Sequence, residues 1–154
     1  ALRPDSGGPG QFRGGLGVQT TIRSLSGGRI NVGSGAGGRV TCPPWGLCGG
    51  EPGETAETLV ALPDEDTFQL PSADVSVWPA DPRVLYMTAG GGGWGDPLLR
   101  EPQRVLHDVI EGYVSIEAAR ERYGVVLDSD ATAVDREATE QLRAKRTAER
   151  ERGR

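Results

Sequence analysis

The sequence predicts an α+β arrangement with segregated elements, β-rich in the N-terminal half with glycine-rich turns and followed by two or three C-terminal helices. Three observations lead there. Short runs of strand-forming residues, each closed by Gly, Pro or Asp, recur as far as Thr88. The run AGGGGWGDP (Ala89–Pro97) then interrupts the pattern, and beyond it apolar residues return at helical spacing. With 24 Gly, 11 Pro and only 36% hydrophobic residues in 154, a self-sufficient core is not expected, because glycine brings no side chain to bury. The chain therefore reads as part of a larger subunit or complex.

In order, GLGVQTTIRSL (Gly15–Leu25) alternates loosely between apolar and polar residues, and SGGRINVGSGAGGRVT (Ser26–Thr41) breaks twice at glycines. ETLVALP (Glu57–Pro63), DTFQLP (Asp66–Pro71) and VLYMTA (Val84–Ala89) continue as short strands. REPQRVLHDVIEGYV then places Val105, Leu106, Val109 and Ile110 on one helical face, with Pro102 suited to the first turn and Gly112 to the end. SIEAARERYG forms a second helix capped by Ser115 and stopped at Gly124, and VVL (Val125–Leu127) is a brief strand. From Thr132 the chain is helix-forming, highly charged and weakly apolar, which predicts that its end is a solvated or frayed helix, with docking on a partner as the alternative. The expected regions are 1–97, β-rich with glycine loops; 98–127, helical; and 128–154, a charged helix or tail.

A net charge of -5 and a pI near 4.9 argue against phosphate-backbone binding, so no nucleic-acid partner is expected. No apolar run reaches the roughly 18 to 20 residues of a membrane span, and ALRPDSGG has neither part of a signal peptide. No membrane partner and a cytoplasmic location are the corresponding expectations. Cys42 and Cys48 lack the further ligands a structural zinc site needs and read as free thiols; no metal is assigned to this chain.

Among the motifs, Gly33, Gly35 and Gly38 of GSGAGG have the dinucleotide-fingerprint spacing, but Pro43 and Pro44 follow where a helix would have to continue. AGGGGWGDP lacks the Lys-Ser/Thr ending of a phosphate-cradling loop. It suits a surface hinge, or the lining of a cleft or subunit contact. Asp96 beside it either orients a polar group or serves as the turn residue of an Asp-Pro step. His107 stands without Cys or acid partners and reads as a packing residue, while Trp45, Trp78 and Trp94 read as core or interface anchors.

Four blocks, in this order, carry a resemblance: SGGPGQFRGGLGV (Ser6–Val18), PPWGLCGGEPG (Pro43–Gly53), AGGGGWGDP (Ala89–Pro97) and VLHDVIEGYVSIEAARERYGVV (Val105–Val126). Together they resemble the C-terminal portion of the hydantoinase B and oxoprolinase family, from about Asp5 to Val126. Cys48 stands where an aromatic is usual, and Glu51 where a Lys is usual. The resemblance implies a B-type subunit working with a hydantoinase A-type ATPase to open cyclic amides such as hydantoins or oxoproline. A subunit of a ketone carboxylase acting on acetone or acetophenone is the alternative, and a non-catalytic module cementing the A/B interface is another. ATP and Mg would sit on the A-type partner, and any divalent metal in the remainder of the B-type subunit, with no cofactor bound by this chain, which alone should be inert. A phosphorylated amide or enol oxygen must be shielded from water while it reacts, and the B-type component is expected to shape that site.

Within that frame the glycines around Phe12 and Arg13 suit a backbone packed closely against missing portions of the subunit. Phe12 anchors the loop. Arg13 either ties loops together or offers a forked donor to a carboxylate or phosphate-like oxygen. Arg13 and Asp96 are the candidate catalytic residues.

Overall fold

The computed structural model describes residues 1–25, 27–28, 30–33, 37–61, 67–69, 75–78 and 82–153. Gly35 of GSGAGG and the ends of ETLVALP and DTFQLP lie outside them. The described strands are β1 (Gln19–Arg23), β2 (Ile30–Gly33), β3 (Glu57–Ala61), β4 (Thr67–Gln69), β5 (Val75–Trp78) and β6 (Arg83–Met87). They form a four-stranded antiparallel sheet in the order β1-β6-β3-β4 and a two-stranded antiparallel pair, β2-β5. β5 comes from VSVW, which the sequence reading passed over.

Period-two alternation sets the sheet's faces. In β3, Thr58 and Val60 are buried while Glu57, Leu59 and Ala61 are half-exposed. Val60 lies opposite Val84 of β6, and both pack with Val32 of β2, flanked by Ile30, Trp78 and Tyr86. The β2-β5 pair thus packs on one face of the larger sheet, while Leu59, Ala61 and Leu85 on the other are half-exposed. Beyond β2, Gly37–Val40 make a 3-10 turn and not the α-helix that a dinucleotide fingerprint requires.

The helices follow their caps. In α1 (Pro102–Ile110) the Glu101 carboxylate accepts from the Gln103 and Arg104 amides at 3.1 and 2.9 Å, and Pro102 opens the first turn, where its missing N–H costs nothing. Ser115 Oγ caps α2 (Ile116–Glu121), accepting from the Ala118 amide at 3.0 Å. Gly124, at φ +61°, reverses the chain where a side chain would be strained. Val125 to Leu127 run on to a single bridge, Leu127 to Val134, and Asp135 caps α3 (Arg136–Arg152). Val105, Val114, Ala119, Tyr123 and Val125 are the core of this part, with Val109, Ala118, Leu127 and Val134 around it.

The charged α3 is docked, contrary to the expected frayed end. Thr139 is buried, and its Oγ1 accepts from the Val126 amide at 3.0 Å. Arg143 donates to the Tyr123 and Arg100 carbonyls at 3.1 and 2.8 Å, and Arg146 donates to the Glu121 carbonyl. Polar side chains hold this helix, so its weak apolar stripe was no guide to its place.

The glycine-rich remainder differs most from expectation. Residues 5–18, 43–54 and 88–96 run alongside one another and bond backbone to backbone. The Gly8 amide donates to the Gly91 carbonyl at 2.8 Å, Gly91 to Gly15 at 2.8 Å, Glu51 to Pro9 at 2.7 Å and Gly93 to Glu51 at 2.9 Å. Gly90–Gly93 lies innermost, bordered by both limbs of the first segment and by the second. A Cβ on Gly90 would overlap the Ser6 carbonyl, and one on Gly92 the Trp45 carbonyl. These glycines therefore pack on the chain's own peptide groups. Around Phe12 and Arg13, where contact with missing portions of a subunit was expected, Gly7, Gly8, Gly10 and Gly14 likewise abut this chain's own backbone, while Gly15 has nothing within 4 Å.

Candidate functional site

Arg13 projects from the first glycine segment towards α1. Its Nε and Nη2 reach the two carboxylate oxygens of Asp108 at 3.2 Å each, a forked pairing, and Nη1 donates to the Gly14 carbonyl at 2.8 Å. The guanidinium also lies over the Tyr113 ring, 5.6 Å from its centroid. The carboxylate that meets Arg13 thus belongs to this chain.

Asp108 is shared. Arg100 Nη2 donates to its Oδ2 at 2.8 Å and Arg100 Nη1 to the Gln11 carbonyl at 3.1 Å, while Arg100 Nε, buried, has no partner among the described residues. Two guanidiniums on one carboxylate, all with side chains at most 15% exposed, form a polar joint between glycine segment and helix. Sequence reasoning missed Asp108 and Arg100. The available signal was an acid at position 108 inside the apolar stripe of Val105 and Val109, where only a paired charge is tolerated.

Asp96 is held elsewhere. Its Oδ1 accepts from the Leu98 amide at 2.9 Å, capping the 3-10 turn Pro97–Leu99, and the same carboxylate meets Arg150 of α3 at 3.0 and 3.1 Å. The structure does not bring Arg13 and Asp96 into one bonded group; each joins the glycine part to a different helix.

Around these joints the surface carries aromatic residues. Phe12 and Trp94 exchange two backbone hydrogen bonds of 2.9 Å, and their rings are 5.6 Å apart at 56°. Leu47 bridges to Trp94, and all three side chains are about half exposed. Trp45 is 70% exposed beneath the Arg39 guanidinium. Trp45 and Trp94 are thus surface residues, whereas Trp78 packs at the sheet core. His107 faces outward on α1 and does not pack in the core, and Cys42 and Cys48 are exposed free thiols.

Tyr123 is the deepest titratable group of the helical cluster, and burial pushes its phenol up to about 12, opposed by the nearby Arg100 and Arg13 charges. Among the described residues no three His, Cys, Asp or Glu side chains converge to hold a metal ion. No helix of the described residues is long and apolar enough to cross a membrane.

Comparison with known proteins places this arrangement. The family model for hydantoinase B/oxoprolinase matches residues 1–97, the stretch holding all three glycine segments. The caprolactamase subunit beta of Pseudomonas jessenii is 36% identical over 149 residues, covering 94% of this chain and 25% of that subunit. In the crystal structure of the ATP-dependent caprolactamase from the same organism, a chain 32% identical superposes with a TM-score of 0.74 over 94% of this chain and 25% of that one. The nucleotide-free structure of acetone carboxylase superposes at 0.68 with 26% identity, over 97% of this chain and 24% of that one. The chain spans about a quarter of the length of these relatives. Its match to the family model over more than half its length, together with the fold shared with those larger enzyme subunits, shows that the chain belongs to the hydantoinase B/oxoprolinase family.

Proposed function

We propose that this chain is the C-terminal segment, or a separately encoded small subunit, of a B-type component. With an ATP-binding hydantoinase A-type partner, it hydrolyses cyclic amides of the hydantoin or oxoproline class. The observation that carries this reading is the 36% identity with a caprolactamase subunit across 94% of the chain. ATP and Mg act on the A-type partner, any divalent metal lies in the rest of the B-type component, and the assembly is cytoplasmic. The exposed Phe12, Leu47 and Trp94 face is where the rest of that component docks, since half-exposed aromatics clustered on a rigid backbone suit burial by a larger body.

In this assembly the chain's own residues act by positioning. Asp108 holds both Arg13 and Arg100, Arg13 holds the turn that carries Phe12, and Asp96 ties the Trp94 segment to α3. A stiff glycine framework of this kind can border a site from which water is excluded. The test is turnover by the complete complex: ATP-dependent ring opening of hydantoin or oxoproline is expected, and its absence with an intact complex overturns the hydrolase reading.

The likeness to acetone carboxylase over 97% of the chain favours a second reading, a ketone carboxylase subunit. Labelled bicarbonate appearing in a carboxylated ketone decides for it. Arg13→Ala in the same complex separates a role in the site from one in assembly. Normal assembly with lost turnover supports the former, and failed assembly without a selective kinetic effect supports a purely structural module.

A further inference from the structure

The β1 edge of the four-stranded sheet is covered at one end only. The first residues of the chain lie along it: Ala1 and Gln19 exchange two backbone hydrogen bonds of 2.9 and 2.8 Å, the Arg3 amide donates to the Gly17 carbonyl at 2.9 Å, and Leu2 bridges antiparallel to Val18. The Arg3 guanidinium fastens this short run by donating to the Thr55 and Thr88 carbonyls at 2.6 and 3.2 Å. The cover stops at Gln19, while β1 runs on to Arg23 with every residue exposed.

Alternation along β1 decides which backbone groups are left over. The Thr88 amide donates to the Val18 carbonyl at 2.8 Å and the Ser24 amide to the Pro82 carbonyl at 3.4 Å, so Val18 and Ser24 bond on the β6 side, and Thr20 and Ile22 between them pair there with Tyr86 and Val84. Gly17 and Gln19 bond on the opposite side, to Arg3 and Ala1. By the same period of two, the amides and carbonyls of Thr21 and Arg23 point outward, and among the described residues nothing bonds to them. An open row of this kind is a template for another strand. The side chains agree. Ile22 is 53% exposed on the face where Val60 and Val84 form the core, and Val18 and Leu2 on that face are exposed as well. On the other face Arg23 stands directly across from Arg83, a pair of like charges.

The placement of Ala1–Arg3 fixes the direction of the missing strand. We propose that, in the complete B-type component, the stretch leading into Ala1 continues that run as a strand antiparallel to β1 and fills the edge from Thr20 to Arg23. The assignment rests on the reading of this chain as a C-terminal segment, and the chain's span of about a quarter of its relatives leaves ample length to supply the strand. The register follows from the Ala1–Gln19 pair: the second and fourth residues before Ala1 exchange backbone bonds with Thr21 and Arg23, and the third lies beside Ile22. An apolar residue is expected at the third position, where it covers Ile22, and an acidic one at the fourth, where it offsets Arg23 and Arg83.

The test is amide hydrogen exchange, read by NMR on the ¹⁵N-labelled 154-residue chain extended at Ala1 in two ways. One extension carries the residues that precede the matching stretch in the caprolactamase subunit beta of Pseudomonas jessenii, and the other a Gly-Ser repeat of equal length. With the first, the Thr21 and Arg23 amides are expected to exchange at least about tenfold more slowly than with the second, while Thr20 and Ile22, already bonded to β6, change little. Thr21→Pro removes an outward N–H and leaves the β6 bonds in place, so it should abolish the protection at Arg23; Arg23→Pro, read at Thr21, serves if the first variant does not fold. Equal exchange with the two extensions overturns the proposal, as does protection that the proline variants leave unchanged. Protection in the Gly-Ser form that rises with protein concentration assigns the edge to a second copy and overturns it too. Exchange is read without ATP or substrate, so an inactive complex with both amides protected strikes the ring-opening reaction alone, and turnover with both amides unprotected strikes the pairing alone.

Discussion

In the helical part of the molecule, Val105, Val114, Ala119, Tyr123 and Val125 meet side chain against side chain. In the glycine part the groups that meet are peptide planes: Gly8 on Gly91, Gly93 on Glu51, Glu51 on Pro9. The first gains stability from apolar area removed from water, and the second from satisfied backbone hydrogen bonds at contact distances no Cβ could share. The two therefore differ in what they tolerate. A side-chain core absorbs a lost methyl group as a small cavity, whereas a backbone core cannot absorb a gained one without moving the chain.

The largest effect is expected where the two parts join. Asp108→Ala leaves Arg13 and Arg100 facing each other without a counter-charge, and a loss of about 3–5 kcal/mol in urea unfolding is expected. A change within experimental scatter would show that the joint is not what couples helix to glycine segment.

Next come the cores themselves. Gly90→Ala, whose Cβ would overlap the Ser6 carbonyl, is expected to cost about 3 kcal/mol. Val105→Ala in the helical core should cost about 2 kcal/mol. Gly15→Ala, with nothing within 4 Å of the new methyl, should stay within about 0.5 kcal/mol. Equal effects of the two glycine substitutions would remove the distinction between the regions.

Alkaline titration probes the helical core alone. The Tyr123 phenol ionises at about 12 when folded, against 10.0 for the ordinary group, so the folded chain holds this proton more tightly than the unfolded one. The corresponding stability is complete below pH 10 and declines as pH rises through about 12. Tyr123→Phe should flatten that decline in unfolding curves measured across the window. An unchanged slope would assign the alkaline loss to other groups.

The smallest effect is expected at the outer tie. Arg150→Ala removes a half-exposed ion pair with Asp96 and should cost less than about 1 kcal/mol, less still at high salt. A larger, salt-independent loss would mean that α3 is as integral to the glycine part as α1.

Much of the helical part was legible because its signals are local. Pro102, Ser115 and Gly124 mark their turns by chemistry that operates within a few residues, and the stripe of Val105, Leu106 and Val109 shows which face turns inward. The β runs were legible for the same reason, apart from VSVW (Val75–Trp78). The candidate site was legible in part: Arg13 and Asp96 stood out beside the glycine runs, while Asp108, which holds Arg13, and Arg100, which shares that carboxylate, did not.

By itself, then, the sequence determined the order of strands before helices, the boundaries of the first two helices and the family to which the glycine blocks belong. Only the tertiary structure decided what the glycines touch, which carboxylate meets Arg13, and why a helix as polar as Arg136–Arg152 stays docked. The physical reason is the range of the interactions. Caps and periodicity are written within one turn of chain, but the partner of a peptide group or a guanidinium is brought up from some eighty or ninety residues away, as Gly91 is to Gly8 and Asp108 to Arg13.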